Sequence, residues 1–127
     1  MKKLLPIFLL IISCNAAPDI NSARIVAEAY LNALKSDDFS TANSYYSDEG
    51  TSSENRISKM KKLDEVMGNV VSYELKDSVV SSLEGEPAII NLTFKVKHEK
   101  LTSKELYTLR REEGKYLIIN QLVENWN

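Results

Sequence analysis

The stretch that decides the fold is AEAYLNALKSDDFSTANSYYS, residues 27–47. Apolar side chains in and just before it recur at spacings of three and four, which predicts an amphipathic helix with one buried stripe: Ala23, Val26, Ala27, Tyr30, Leu31 and Leu34. Asp19 or Asn21 is a suitable N-cap, and the helix should end near Lys35. The pair Asp37–Asp38 then opens a second, shorter helix through Phe39, Ala42, Tyr45 and Tyr46, which should end near residues 47–50.

A third helix is predicted before any strand. Thr51 and Glu54 match the capping-box pattern, in which the two side chains cap the first turn reciprocally. Gly68 suits the C-terminal cap, because glycine readily adopts the left-handed conformation found there. The apolar side of this helix consists of Ile57, Met60, Leu63 and Met67.

From Asn69 onward the apolar period changes to two, which is typical of strands. The clearest strand alternates apolar and polar residues over 90–97. Further strands are predicted at 71–75, irregularly at 78–83, at 104–111 and at 116–123, with turns at 85–87 and 112–115. Because the connections are short, we expect an α+β fold, with N-terminal helices packed on a curved, mainly antiparallel sheet.

This order of elements has a family resemblance. The stretch quoted above, two more helices and a closing GKYLIINQLVENW (residues 114–126) resemble the NTF2-like superfamily, also called the cystatin-like or cone-shaped α+β fold. The resemblance covers nearly all of residues 20–127. It implies a sheet that curls around the helices to make a conical cavity, which is an active site in some members and a binding pocket or simply a core in others. Fold alone therefore does not decide the function.

The first residues are typical of an export signal. Met1, Lys2 and Lys3 form a positive start, and the nine apolar residues 4–12 are too few to span a bilayer, which takes roughly 20. The run ends in Ile11-Ile12-Ser13-Cys14, which resembles the bacterial lipoprotein box. That resemblance implies a diacylglyceryl group on Cys14, cleavage before it, and acylation, for example with palmitate, of the new amino terminus. Two or three acyl chains would anchor a domain stably in a membrane.

Under this interpretation the chain divides into a lipoprotein signal peptide (1–13), a lipidated cysteine with a short tether (14–20) and an NTF2-like domain (21–127). The protein would be lipid-anchored in the bacterial cell envelope. Because Asn15 rather than Asp follows the cysteine, the lipoprotein resemblance favours the outer over the inner membrane in a Gram-negative cell. Two alternatives are an ordinary signal cut after Ala16 or Ala17, and a retained membrane helix, against which Pro6 and the shortness of the run argue.

Charge and cysteine content exclude some classes of function. Loss of Lys2 and Lys3 with the leader would leave 14 basic residues against 18 acidic ones, a net charge of −4, so nucleic acid is not an expected partner. Since Cys14 is the single cysteine, a disulfide within the domain is not possible. One histidine and no free thiol also argue against a metal site, and no cofactor is expected.

The predicted inward face of the sheet is apolar. By period two it consists of Val71, Tyr73, Leu75, Ile90, Leu92, Phe94, Val96, Tyr107, Leu109, Leu117 and Ile119. We expect no carboxylate among them, so a mechanism based on paired carboxylates has no place on the strands. His98 has the same parity as Phe94 and Val96, which would aim it into the mouth of the cone as a general base, or leave it at a fraying strand end.

Other residue types admit two interpretations each. Tyr30, Tyr45, Tyr46 and Tyr73 either line a pocket or fill the core with the hydroxyl at its rim. Asp37 and Asp38 are either an acid pair or helix caps. Two basic clusters, Lys59-Lys61-Lys62 and Lys95-Lys97, are either attracted to an anionic membrane or simply solvated. Trp126 would cover the sheet edge or join an interface.

Two classes of function follow. The first is a membrane-anchored, non-catalytic module that binds an envelope protein, a second copy of itself through the sheet, or a small ligand in a pocket that includes Tyr30, Tyr73, Phe94 and His98. The second is a small enzyme of the isomerase or dehydratase type that uses His98 and a tyrosine. An open cavity where His98 converges with Tyr30 or Tyr73 would favour the enzyme, whereas a cone filled by its own side chains would exclude it.

Overall fold

The computed structural model describes residues 17–48 and 52–126. The helices are α1 (Ile20–Lys35), α2 (Phe39–Asn43) and α3 (Ser53–Met67), and the strands are β1 (Val70–Ser81), β2 (Ile89–His98), β3 (Thr102–Glu112) and β4 (Lys115–Asn125). The strands form one antiparallel sheet in the order β1-β2-β3-β4. This arrangement confirms the predicted α+β fold.

Two aspartates begin the first two helices. Asp19 is the N-cap of α1 and its carboxylate accepts from the Ser22 backbone N–H at 3.2 Å. Asp38 caps α2 in the same way and accepts from the Thr41 N–H at 3.1 Å. Hydrogen bonds from the Ser22 and Thr41 side chains hold the pKa of these two carboxyls below the ordinary value. Asp38 is therefore a cap, and Asp37 lies at the turn before it with φ at 58°.

The third helix begins one residue later than the capping box predicted. Ser52, not Thr51, is the N-cap, and its hydroxyl accepts from the Asn55 N–H at 3.3 Å. Its end was predicted correctly. Gly68 has φ at +84°, and a Cβ there would lie 2.7 Å from Glu99 Cβ, so both conformation and space require glycine.

The prediction of two strands before residue 84 is wrong, because β1 is one continuous strand. It contains irregularities at Val70/Ser72 and Leu75/Asp77 in its pairing with β2. A bulge adds one residue to one strand and so reverses which side chains face the core. Val70 is consequently buried, whereas Val71, predicted to point inward, is 42% exposed.

The inward face of β4 was also predicted with the wrong parity. Tyr116 and Ile118 are buried, and Leu117 and Ile119 are not. All four residues are large and apolar, so alternation along β4 does not distinguish its two faces. Pairing decides: Leu109 lies opposite Ile118, and after an irregularity at Thr108/Leu109 the inward position passes to Gln121, opposite Tyr107.

The core lies between α1 and the concave face of the sheet. Ala23 and Ala27 are fully buried and let α1 approach the sheet closely, where its larger buried partners are Ile90, Leu92, Phe94, Val96, Leu109 and Ile118. Aromatic rings meet edge to face at the centre, with Tyr30 and Tyr107 5.5 Å apart and Phe94 and Tyr107 6.0 Å apart between centroids. This packing fills the middle of the sheet.

The prediction that the second helix continues through Tyr45 and Tyr46 is wrong, because α2 ends at Asn43 and the segment after it joins the sheet. Ile118 N–H donates to the Tyr45 carbonyl at 2.8 Å and the Ser47 N–H donates to the Ile118 carbonyl at 2.9 Å. This short parallel bridge places Tyr46 and the start of α3 above β4. Within residues 17–48 and 52–126, no helix has both the length and the apolar character that crossing a bilayer requires.

Candidate functional site

The candidate site is built around His98, at the end of β2. The side chain is buried, with a residue exposure of 6%. Its Nδ1 lies 3.2 Å from the Gly68 carbonyl, and its Nε2 lies 2.9 Å from Glu105 Oε2 and 3.1 Å from Ser103 Oγ. Because a carbonyl only accepts, the contact with Gly68 makes Nδ1 the donor. His98 is thus neither solvated nor fraying.

The expectation that no carboxylate faces inward is wrong, because Glu105 does and is only 1% exposed. Its Oε2 accepts from Ser103 Oγ at 2.5 Å, and its Oε1 accepts from the Tyr107 hydroxyl. The sequence contained a signal for Glu105, because Ser103, Glu105, Tyr107 and Leu109 alternate along one face of β3. Extending the predicted inward face two residues upstream of Tyr107 would have included Glu105. An acidic residue is normally assigned to the surface, so the residue type argued against placing Glu105 inside.

Hydrogen bonds continue from Glu105 through a layer of tyrosines. Gln121 Nε2 donates to the Tyr107 hydroxyl at 3.2 Å, and its Oε1 accepts from the Tyr46 hydroxyl at 2.9 Å. Tyr30 shares side-chain hydrogen bonds with Tyr46 and Gln121. Burial raises the pKa of Tyr46 to about 12 and the pKa values of Tyr30 and Tyr107 well above 10. All three therefore remain neutral hydroxyls near pH 7.

Beside this network lies a small space, which we call the inner cavity. Its volume is about 20 Å³, and Tyr30, His98, Glu105, Leu63, Met67 and Val70 are among the residues that line it. A single water molecule needs roughly 10–15 Å³ measured in this way. The inner cavity can therefore hold about one water molecule and no organic substrate.

A larger space, the outer pocket, opens between α3 and β4. Its volume is about 160 Å³, and its lining includes Tyr46, Asn55, Arg56, Lys59, Ile118 and Asn120. Met60, Leu63 and Gln121 line both spaces and so form the partition between them. Unlike the inner cavity, the outer pocket has room for a small molecule.

Arg56 forms a fixed wall of the outer pocket. It is buried, with its Nη1 donating to Asn43 Oδ1 at 2.7 Å and its Nη2 to the Ser47 carbonyl at 3.2 Å. Its guanidinium lies 4.9 Å from the centroid of the Tyr46 ring, a cation–π geometry. These contacts hold α3 against the segment after α2 and so maintain the shape of the pocket.

Comparison with known proteins bears on the fold. Neither a family model nor a curated protein matches the sequence. An NTF2-like protein from Cytophaga hutchinsonii aligns with a TM-score of 0.60 at 10% identity, over 87% of this chain and 100% of its own. A domain of unknown function with a cystatin-like fold from Nostoc punctiforme aligns with a TM-score of 0.60 at 13% identity, over 88% of this chain and 80% of its own. The fold is the NTF2-like cone.

A third solved structure with this fold is a ketosteroid isomerase-like protein from Erwinia carotovora atroseptica. It aligns with a TM-score of 0.60 at 17% identity, over 88% of this chain and 99% of its own. The NTF2-like resemblance carried by residues 27–47 and 114–126 is confirmed as a fold. Likeness at such low identity shows the fold alone, so the chemistry of this cone must be argued from its own residues.

The structure brings together only part of the predicted pocket. Tyr30 and His98 line the inner cavity, whereas Tyr73 and Phe94 do not. Phe94 is completely buried in the core, and the Tyr73 hydroxyl donates to Asn32 Oδ1 at 3.0 Å on the exposed side of α1. The alternation along β1 and β2 put these two rings on the inward face, but it did not show that the core would fill the cone around them.

The remaining predicted residues lie away from the cone or outside the described chain. Cys14 falls outside the described residues. Lys95 lies 5.2 Å from the centroid of the Trp126 ring, on the outward face of the sheet. Of the lysines on α3, only Lys59 lines the outer pocket. Within the described parts of the chain, no group of three or more His, Cys, Asp or Glu side chains is placed to bind a metal ion.

The residues suited to acid–base chemistry therefore do not line the pocket that is large enough for a ligand. His98 and Glu105 could exchange a proton, but they face a cavity the size of a water molecule. Their hydrogen-bonding groups are already paired with one another and with Gly68, Ser103 and Tyr107. The outer pocket has the volume for a ligand. Its described lining offers amides, two cations and apolar surface, a combination that can bind but holds no paired acid and base.

Proposed function

We propose that this chain is a lipid-anchored protein of the bacterial cell envelope whose NTF2-like domain binds a small ligand without turning it over. Ligand binding without turnover is supported by the positions of the two spaces. The acid–base residues adjoin the inner cavity of about 20 Å³, and the outer pocket of about 160 Å³ lies on the other side of Met60, Leu63 and Gln121. A general base must come within hydrogen-bond reach of the proton that it removes. A ligand in the outer pocket does not meet that requirement.

The hydrogen-bond inventory supports the same proposal. Glu105 accepts from Ser103 and Tyr107 and pairs with His98, which also donates to Gly68. Buried polar groups satisfied in this way stabilise one arrangement of the core. A substrate would have to replace those bonds one for one, which makes a structural role for the cluster the simpler explanation.

The anchor is proposed from the lipoprotein box at Cys14 and from the length of the tether. The Asp19 N–H donates to the Tyr116 hydroxyl at 2.9 Å, which fixes the chain to the domain at that point. Five peptide steps separate Cys14 from Asp19, and each spans at most about 3.3–3.6 Å. The domain would therefore sit within roughly 20 Å of the lipid surface, on the outer membrane if the cell is Gram-negative.

Metabolic labelling with a fatty-acid analogue tests the anchor. We expect label on the full-length protein and none on a Cys14→Ser variant, which should accumulate unlabelled. Recovery of the wild-type protein from the envelope as a soluble, unmodified molecule would refute the anchor. The ligand-binding proposal would be unaffected, since it depends only on the cone.

The second candidate function, an isomerase or dehydratase, is favoured by one observation. His98, Glu105, Tyr107 and Tyr30 adjoin one another beside the inner cavity, and displacement of α3 would open it. Turnover of a small enolisable ketone by the full-length protein tests this candidate. A rate above background that is lost in Glu105→Gln but kept in Lys61→Gln would refute the non-catalytic proposal; no rate above background is the expected result.

The sequence also predicted a protein partner or a homodimer through the sheet. Leu122 on β4 is 49% exposed and Val79 on β1 is 49% exposed, and their pairing partners place both on the outward face. Partner binding there would be compatible with a ligand in the cone, because the two surfaces lie on opposite sides of the sheet. Affinity capture from detergent-solubilised envelopes, compared with Cys14→Ser, tests this prediction separately.

A further inference from the structure

We propose that the outer pocket binds a small monocarboxylate whose apolar body is about the size of benzene. The inference rests on the proposed binding function and names the class of ligand. It draws on three features of the pocket: the charge of its lining, its volume, and the separation of its polar rim from its apolar floor.

The first feature is charge. Of the described residues that line the pocket, Arg56 and Lys59 are cationic and none is acidic. The two lie three residues apart on α3, so they share one face of the helix. Glu112 is close by, since it accepts from Ser47 Oγ at 3.0 Å, but it also pairs with Arg110 at 2.6 Å. The pocket therefore favours an anion over a neutral or cationic ligand.

Lys59 is the cation that is placed to contact the ligand. Its side chain is exposed, and it takes part in none of the ion pairs found among the described residues. Arg56 contributes charge from a fixed position, with its guanidinium already bonded to Asn43 and Ser47. A ligand carboxylate in the pocket would thus meet the exposed Lys59 and an Arg56 guanidinium held by Asn43 and Ser47.

The second feature is size. The pocket volume is about 160 Å³. An apolar cavity of roughly 150 Å³ is known to accommodate benzene. A single ring or a branched chain of similar volume therefore fits, whereas a steroid, a nucleotide or a long acyl chain would enter only in part.

The third feature is the separation of polar and apolar lining. Met60 and Ile118 are buried, and with Leu63 they form an apolar floor. Asn55 and Asn120, like Lys59, are exposed and so lie at the rim, and each amide offers two N–H donors. A carboxylate against the floor would be desolvated without a partner, so it must point to the rim while the hydrocarbon packs on Met60 and Leu63.

The test compares benzoate with benzamide, which has nearly the same shape but no charge. Each is titrated by calorimetry into the full-length protein in detergent micelles, with empty micelles as the blank. Since a hydrogen bond to a charged group is stronger than one to a neutral group, we expect benzoate to bind at least about tenfold more tightly than benzamide. Amide shifts in NMR spectra should be largest at Ile118 and Asn120 if the outer pocket is the site.

The matched variants are Lys59→Gln and Lys61→Gln. Both remove one positive charge from an exposed position of the same helix, and only Lys59 lines the pocket. We expect Lys59→Gln to reduce benzoate affinity about tenfold, to leave benzamide unchanged and to fold normally; Lys61→Gln should behave as wild type.

Three outcomes would overturn the proposal: equal affinity for benzoate and benzamide, an equal loss in both lysine variants, or no binding of either compound. None of these binding results would test whether the cone is catalytic. Only turnover that depends on Glu105 can refute the non-catalytic proposal. Conversely, turnover would refute that claim even if benzoate bound as expected.

Discussion

The inner cavity and the outer pocket share a partition of Met60, Leu63 and Gln121, yet they are built in opposite ways. Around the inner cavity the polar groups are buried and bonded to one another, and almost no volume is left. Around the outer pocket Asn55, Lys59 and Asn120 are exposed to solvent, and a ligand-sized volume remains. Residue types suited to catalysis are therefore not evidence of a reaction unless space adjoins them.

Among the substitutions that test this difference between the two spaces, Glu105→Ala should cause the largest change in the free energy of unfolding. The variant leaves His98, Ser103 and Tyr107 without their common acceptor, and breaking a buried pair of this kind costs about 3–5 kcal/mol in the free energy of unfolding. Urea denaturation followed by circular dichroism measures it. Glu124→Ala, an exposed position on β4, is the control and should change stability by less than about 0.5 kcal/mol.

An increase in the stability of Glu105→Ala would contradict the structural role of the inner cluster. Active sites often hold strained or repelling groups, so their replacement can stabilise a protein. That result would move the cluster from a structural to a catalytic role and favour the isomerase or dehydratase candidate.

Gly68→Ala should have the next largest effect. Gly68 has a backbone conformation that is essentially restricted to glycine, with φ 84° and ψ 172°, and the added Cβ would lie 2.7 Å from Glu99 Cβ. Such strain costs on the order of 1–3 kcal/mol, and relief by movement would also displace the carbonyl that binds His98 Nδ1. Thermal denaturation measures the loss.

Gly85→Ala is the matched control for Gly68→Ala. Gly85 has a similar φ of +81°, but a Cβ added there would meet no other atom within 4 Å, and the residue lies in the hairpin between β1 and β2. It should be the milder substitution of the two. If both variants lose the same stability, backbone conformation alone explains the effect and the close packing of Gly68 against Glu99 contributes nothing.

Tyr107→Phe should have a smaller effect. It removes the hydroxyl between Gln121 Nε2 and Glu105 Oε1 and leaves the ring in place. We expect a loss of about 1–2 kcal/mol, because a buried acceptor loses its donor. Tyr73→Phe, whose hydroxyl contacts Asn32 on an exposed surface, should lose less. Equal losses would mean that burial does not strengthen the inner network.

The starts of α1 and α2 and the end of α3 were predictable because their signals are local, whereas the end of α2 and the start of α3 were predicted incorrectly. Asp19, Asp38 and Gly68 act within one turn of their own positions, so spacing and residue type suffice. The strand faces were less predictable because bulges at Val70/Ser72 and Thr108/Leu109 shift the register. A bulge depends on the partner strand, which alternation along one strand does not contain.

The candidate site was predictable only in part. Parity placed His98 correctly on the inward face, but Glu105 was missed because an acidic residue among apolar neighbours is usually assigned to solvent. The outer pocket had no local signal at all. Asn55 and Lys59 come from α3 and Asn120 from β4, and they meet only because the Tyr46–Ile118 bridge brings those elements together.

The smallest effect is expected from Asp64→Asn, at the edge of the inner cavity. Partial burial, followed by the charges of Asp37 and Glu99, raises the pKa of the Asp64 carboxyl above its ordinary value of 3.8. The folded state therefore holds the Asp64 proton more tightly than the unfolded state does. Asp64 favours folding least when it is ionised, so its effect on stability becomes less favourable as pH rises through the folded pKa.

Asn cannot ionise, so Asp64→Asn should be slightly more stable than wild type at pH 7, and the difference should disappear as the pH falls below 3.8. Urea midpoints of the variant and the wild type at a series of pH values measure it. A gain at pH 7 would show that the ionised Asp64 carboxylate opposes folding, as its raised pKa indicates. A loss at pH 7 would mean that Asp64 holds α3 in place, and the partition between the two spaces would then depend on charge as well as on Met60 and Leu63.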